Sequence, residues 1–209
     1  MRSRLPIVYI VDDDISVRRS LARLLKANGF SCLCSASCEN FLALDHPDRT
    51  SCLVLDVQLP GINGLALPDK MAGRGLAMPV IFITGHGTVP MSVKAMKAGA
   101  VDFLTKPFTG EQLLAAVRHA LQKDSRSRRK QRDTRKCIRL LDTLTSREYE
   151  VMRWVIAGRL NKQIARALGT AEKTIKVHRG RIMDKVKVNS VAALVRLTQK
   201  AGITPVVKD

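Results

Sequence analysis

The stretch Ile7-Val8-Tyr9-Ile10-Val11-Asp12-Asp13-Asp14 sets five apolar residues against three carboxylates. A run of that length, stopped abruptly by charge, reads as a buried strand. Three more runs repeat the pattern. Cys52-Leu53-Val54-Leu55 ends at Asp56, Val80-Ile81-Phe82-Ile83 ends at Thr84, and residues 101–104 lead to Lys106-Pro107. Each delivers one polar group at its C-terminal end, the edge at which open parallel sheets bind ligands. Clustered carboxylates, a hydroxyl and a lysine together suit Mg²⁺ and a phosphoryl group, because both want hard oxygen ligands and compensated charge. The constellation is that of an aspartate that accepts phosphate.

Helix-like segments lie between these runs. Val17, Leu21, Leu24 and Leu25 share a helical face, and Asn28-Gly29 stops that helix. Phe41, Leu42 and Leu44 suggest a short second helix, Val93 and Met96 another, and Leu113, Leu114, Val117, Ala120 and Leu121 a last one. Pro68, Gly73 and Gly75 predict a short or kinked third helix. Five strands alternating with five helices predict an α/β domain, a doubly wound five-stranded parallel sheet, within residues 1–122.

The formal net charge is +18 and is unevenly spread. Residues 1–122 carry 13 basic and 10 acidic side chains, residues 123–142 carry 9 and 3, and residues 143–209 carry 14 and 5. The C-terminal part therefore has a polyanion as its natural partner. From Lys123 to Lys136 there is no apolar residue, so residues 123–142 read as an exposed basic linker, with the pair Asp124/Arg128 favouring helix. Beyond it only helical patterns remain. Thr145 and Glu148 form a capping-box pattern. Asn161 is the expected cap of a second helix, a third covers residues 172–185, and a fourth runs from Ser190 to Ala201. Residues 143–209 thus read as a small all-α, four-helix DNA-binding domain.

Cys32, Cys34, Cys38, Cys52 and Cys137 form an odd, scattered set, which argues against a disulfide framework and for a reducing compartment. Cys32 and Cys34 read as small strand residues rather than metal ligands. The apolar stretch behind Met1-Arg2-Ser3-Arg4 is too short for a signal peptide, and no run approaches the ~20 apolar residues of a membrane span. The expectation is a cytoplasmic protein without membrane attachment.

These motifs resemble a known family. Val11-Asp12-Asp13-Asp14, Leu55-Asp56, Leu59-Pro60-Gly61, Ile83-Thr84-Gly85-His86-Gly87 and Lys106-Pro107-Phe108 are similar to those of a CheY-like two-component receiver domain. Leu144-Thr145-x-Arg147-Glu148, Asn161-Lys162-Gln163-Ile164-Ala165 and Thr174-Ile175-Lys176-Val177-His178 resemble a LuxR-type helix-turn-helix. The order of the halves resembles response regulators of the FixJ/NarL type, and Thr84–Gly87 with Pro90-Met91 leans toward FixJ.

The resemblance implies Asp56 as phosphoacceptor, served by a histidine kinase. It implies Mg²⁺ held directly by Asp13 and Asp56 and by the Gln58 backbone carbonyl, with Asp12 acting largely through water. Lys106 and Thr84 would hold phosphoryl oxygens, Phe103 would be the switch aromatic, and the Lys106–Pro107 bond would be cis. Asp14 would only start the next helix, and His86 would be a surface residue. The surface over residues 86–108 would change on phosphorylation and dimerise or release the basic domain, with RNA polymerase as a further partner. Chemistry would be confined to self-phosphorylation and dephosphorylation at Asp56, so the chain is expected not to be an enzyme otherwise.

On a wheel of ~100° per residue, Ile182 and Val186 fall within ~20° of Ile175 and face the core. Lys173, Val177, Gly180 and Asp184 lie opposite, flanked by Lys176 and Arg181. Together with the resemblance to a LuxR-type helix-turn-helix and the basic charge of this part, this face implies a DNA-contacting set of Lys162, Lys173, Thr174, Lys176, Val177, Gly180 and Arg181. The helix lacks the usual serine and proline at its start; Ala171 and Glu172 stand there, and Thr170 is a candidate cap one residue earlier. In the fourth helix Val191, Leu194, Val195 and Thr198 form a stripe that, with Ala192 and Ala193, is expected to meet a second copy. Two rivals stand beside this reading. Asp12-x-Asp14 resembles the nucleophile motif of haloacid-dehalogenase-like phosphatases, which lack any role for Asp56; alternatively, the chain is a DNA-binding protein with an inactive receiver.

Overall fold

The computed structural model describes residues 5–85 and 88–206. Met1–Arg4, His86 and Gly87 therefore lie outside the described residues. The chain divides into two compact units, Met1–Arg128 and Arg129–Asp209.

The first unit is built on strands β1 (Ile7–Val11), β2 (Ser31–Ser35), β3 (Ser51–Asp56), β4 (Val80–Thr84) and β5 (Asp102–Thr105), in spatial order β2-β1-β3-β4-β5. All neighbours are parallel. Parallel strands are buried on both faces, which is why these runs are continuously apolar rather than alternating. One face sets Tyr9, Leu53, Leu55 and Phe82 against Phe41, Leu67 and Met71. The other sets Ile10, Val54, Ile81 and Ile83 against Leu21, Leu25, Leu113 and Val117. The order reverses between β1 and β3, and the register pairs Val11 with Leu55 and Thr84 with Thr105. The C-terminal ends of the central strands are thereby aligned, with a crevice at the reversal.

The helices follow the patterns expected of them. Helix α1 spans Ile15–Ala27, α2 Cys38–Leu42, α3 Leu67–Gly73, α4 Val89–Lys97 and α5 Gly110–Leu141. The predicted irregularity before α3 is a 3-10 turn, Gly64–Ala66, followed by a helix of seven residues with Pro68 in its first turn. Pro is tolerated there because that N–H needs no intrahelical partner.

Helix α5 continues through the basic stretch, but that stretch is not wholly exposed. Asp124 is 3% exposed. Its carboxylate accepts the Ser51 N–H at 2.9 Å and Arg128 Nε at 2.6 Å, and Arg128 also pairs with Asp48. An aspartate can be buried here because each of these donors compensates its lost hydration.

The second unit holds the end of α5 and four helices: α6 (Ser146–Ile156), α7 (Asn161–Ala167), α8 (Glu172–Lys185) and α9 (Val191–Lys200). Val151, Val155, Ile164, Ile175, Ile182 and Leu194 meet in its core. The Thr145/Glu148 capping box forms. Glu148 is 3% exposed, and the cost of burying its carboxylate is offset by Lys185 at 2.6 Å. Asn161 is not the cap of α7; Leu160 takes that position, and Gln163 satisfies its N–H at 2.9 Å, which leaves Asn161 as the first helical residue. Nor does Thr170 cap α8. Ala171 occupies the N-cap position, with no side-chain hydrogen bond.

Candidate phosphoacceptor site and nucleic-acid interface

Asp12, Asp56, Thr84 and Lys106 converge because each ends or follows one of the aligned strands. Asp12 and Thr84 are fully buried and Asp56 is 6% exposed. Asp12, Asp13 and Asp56 each offer a carboxylate oxygen within 4.8 Å of the others. Three hard oxygen donors at that spacing fit a divalent ion such as Mg²⁺. Asp14 is outside this group. Its side chain accepts the Ser16 and Val17 N–H groups as the N-cap of α1, and these bonds hold its pKa below the usual range.

Lys106 Nζ lies 2.7 Å from Asp56 Oδ2 and 3.0 Å from Asp12 Oδ2. The cis Lys106–Pro107 bond follows directly, and the Lys106 N–H donates to the Thr84 carbonyl at 2.7 Å. Burial pulls the ammonium pKa down, but the hydrogen bonds it donates to Asp56 and Asp12 outweigh it and the net direction is up. Burial pushes Asp12 up, against the pull of Lys106 and the Asp14 N–H. The Gln58 N–H donates to Asp56 Oδ1 at 2.9 Å, which turns the loop back beneath the acid. Phe103, on β5, is half-buried against the Tyr9/Phe82 face.

Two residues of this site escaped the sequence reading. Arg18 Nη1 donates to the carbonyls of Asp12 at 2.6 Å and Asp13 at 2.9 Å, tying the acidic loop to α1. Gly64 passes directly over Asp56: a Cβ there would lie 2.2 Å from the Asp56 carbonyl oxygen. Asn63-Gly64 is a turn signal in the sequence, but nothing local announces what the turn crosses. Among the described residues no cysteine belongs to a group of side chains that could hold a metal ion. Burial pushes Cys32 and Cys38 up to about 11, far from the thiolate that metal or redox chemistry requires.

In the second unit Ile175, Ile182 and Val186 are buried. Lys173, Thr174, Lys176, Val177, Gly180 and Arg181 are exposed along α8, as is Lys162 on α7. A Cβ at Gly180 would meet no atom within 4 Å, so packing inside the protein does not call for glycine there. The stripe expected on α9 is largely used at home. Leu194 and Thr198 are buried with Leu197, Val191 and Val195 are half-buried, and Ala192 is exposed.

An acid cluster with a lysine at the switch point of a parallel sheet, followed by a helical basic unit, defines the class: a signal-receiving domain joined to a DNA-binding one. Residues 8–118 match the family described as response regulator receiver domain, and residues 142–198 match bacterial regulatory proteins of the luxR family. The chain is 46% identical over 198 residues to Nodulation protein W of Bradyrhizobium diazoefficiens, covering 95% of this chain and 87% of that one. It is 40% identical over 198 residues to the transcriptional regulatory protein FixJ of Azorhizobium caulinodans, covering 95% and 94%. The solved structure of response regulator StyR matches with a TM-score of 0.84 at 43% identity, covering 94% of this chain and all of that one, 100%. The chain belongs to the two-component response regulators of the FixJ-like, luxR-type branch, and is a transcription regulator of two-component signalling. Among the described residues no helix is long and apolar enough to cross a membrane.

Proposed function

We propose that the chain accepts a phosphoryl group on Asp56 from a histidine kinase and thereby controls its own pairing and its binding to double-stranded DNA. The observation that carries this reading is Lys106 Nζ set between Asp56 and Asp12, with Asp13 beside them. An Asp56 carboxylate oxygen attacks phosphorus, and the donor's imidazole or acyl oxygen leaves. Asp13, Asp56 and the Gln58 carbonyl would hold Mg²⁺, with Asp12 acting largely through water, and the ion would neutralise charge on the phosphoryl oxygens. Lys106 then pairs with one phosphoryl oxygen and the Thr84 hydroxyl with another. Phe103 follows Thr84 inward, and the surface over residues 88–108 changes.

Pairing through that surface is supported by α4, where Val89, Val93 and Met96 are 77%, 46% and 51% exposed at i, i+4 and i+7. Residues 1–122 act as receiver, 123–142 as basic linker and 143–209 as DNA-binding domain. Lys176 and Val177 read base edges, Lys162 and Arg181 mainly contact phosphate, and Lys173, Thr174 and Gly180 complete the DNA-facing set. The setting is the cytoplasm, with RNA polymerase as a further partner.

Intact-mass analysis after treatment with acetyl phosphate and Mg²⁺ tests the chemistry. Wild type gains one phosphate and Asp56→Asn gains none. Equal modification of both, or phosphate mapped to Asp12, overturns the assignment.

A further inference from the structure

Within the second unit, α5 is a basic rod ahead of the helix-turn-helix. Its end is packed: Leu141 is buried, and Cys137 and Leu140 lean on the core. Arg129, Arg132, Arg135, Lys136 and Arg139 are all exposed. At ~100° per residue these five fall within an arc of about 120°, centred about 130° from the packed Cys137/Leu140/Leu141 face. The stripe spans ~15 Å of helix. Asp133 is the sole acid between residues 125 and 141. Arg132/Lys136 and Arg135/Arg139 are i,i+4 pairs, and Arg129/Arg132, Arg132/Arg135 and Lys136/Arg139 are i,i+3 pairs. Like charges at these spacings destabilise a helix. Asp133, at i,i+4 from Arg129 and i,i+3 from Lys136, offsets only part of this repulsion, and a polyanion laid along this side would relieve the rest.

We propose that this stripe is a second DNA-contacting surface, laid on phosphates that flank the half-site bound by α8. The proposal rests on the DNA-binding reading of the second unit and extends it to a segment outside the helix-turn-helix. The occupant is a duplex backbone because the same compact unit carries the exposed basic face of α8. The contacts are charge-only, so they add affinity and salt dependence without sequence choice.

The test uses the full chain and two probes, a mixed-sequence duplex several helical turns long and a duplex selected from a random pool by the wild-type chain. Arg132→Gln, Arg135→Gln and Arg139→Gln are combined, since glutamine keeps helix propensity, and the same three positions are changed to Lys in a second variant. Each lost phosphate contact lowers the slope of log affinity against log salt by about 0.9, so the glutamine variant loses between about two and three on both probes. Its ranking of selected duplexes is unchanged, and the lysine variant keeps the wild-type slope. An unchanged slope in the glutamine variant overturns the proposal. An equal loss in the lysine variant also overturns it, because charge is then not the cause. If wild type binds neither duplex, the DNA-binding reading itself fails, a result distinct from either.

Discussion

At the scale of single residues, the carboxylate cluster around Asp56 is bounded by backbone atoms that leave little room. Gly64 is the sharpest case. A methyl group there would stand 2.2 Å from the Asp56 carbonyl oxygen and 3.0 Å from Val57 Cα, both backbone atoms. Overpacking of this kind costs about 1–3 kcal/mol. Gly64→Ala is expected to lower the melting temperature and to slow acetyl-phosphate labelling of Asp56; labelling and melting both at the wild-type level would show that the turn can move aside. Glu148 answers to pH instead. Its hydrogen bond from Lys185, then that from the Thr145 N–H, brings its pKa from 4.5 to about 2. A depressed folded-state value means stability that is fully present above pH ~4.5 and lost as pH falls toward ~2. Glu148→Gln should therefore be less stable than wild type at neutral pH by on the order of 2 kcal/mol, with the gap closing through that window in urea titrations.

At the scale of elements, two ends of helices make opposite predictions. Helix α8 begins at Ala171 without a side-chain cap. Ala171→Ser supplies one, and should stabilise the second unit by ~1 kcal/mol in thermal or denaturant melts. Helix α5, by contrast, is tied down in mid-course. Removing the Asp124 carboxylate with Asp124→Ala leaves the Ser51 N–H without its acceptor, at a cost of about 1–3 kcal/mol in denaturant titrations. The contrast also marks what could be read from sequence. Asp12, Asp56, Thr84 and Lys106 were legible because each stands in line with an apolar run, so strand pattern and site chemistry coincide. Arg18 was not, because its partners are carbonyl oxygens that any residue possesses. Of the Asp124 network only the Asp124/Arg128 pair was legible, because Ser51 lies 73 residues from Asp124 and Asp48 lies 80 from Arg128. Caps proved intermediate: Thr145 was readable, Ser190 was read as the start of its helix and is instead the N-cap, and Asn161 lost the cap position to Leu160 because Gln163 serves that residue's N–H.

At the scale of the whole molecule, pairing on DNA has fewer free atoms on α9 than its sequence stripe promised, since Leu194 and Thr198 are buried in their own unit. The exposed Ala192 beside half-buried Val195 is what a second copy can meet. Two copies related by a two-fold axis read an inverted repeat. Ala192→Glu should weaken binding to paired half-sites while leaving a single half-site and the melting curve unchanged; equal loss on both would remove α9 from the contact. The Asp124–Arg128–Asp48 network also bears on how regulators of this build are recombined. A hybrid spliced at residue 122, where the apolar pattern of α5 ends, would discard Asp124 and Arg128 and orphan Ser51 and Asp48 of the donor receiver. A splice after Arg128 carries the whole network across intact, so modular exchange of output domains has a natural cut site six residues later than sequence pattern alone suggests.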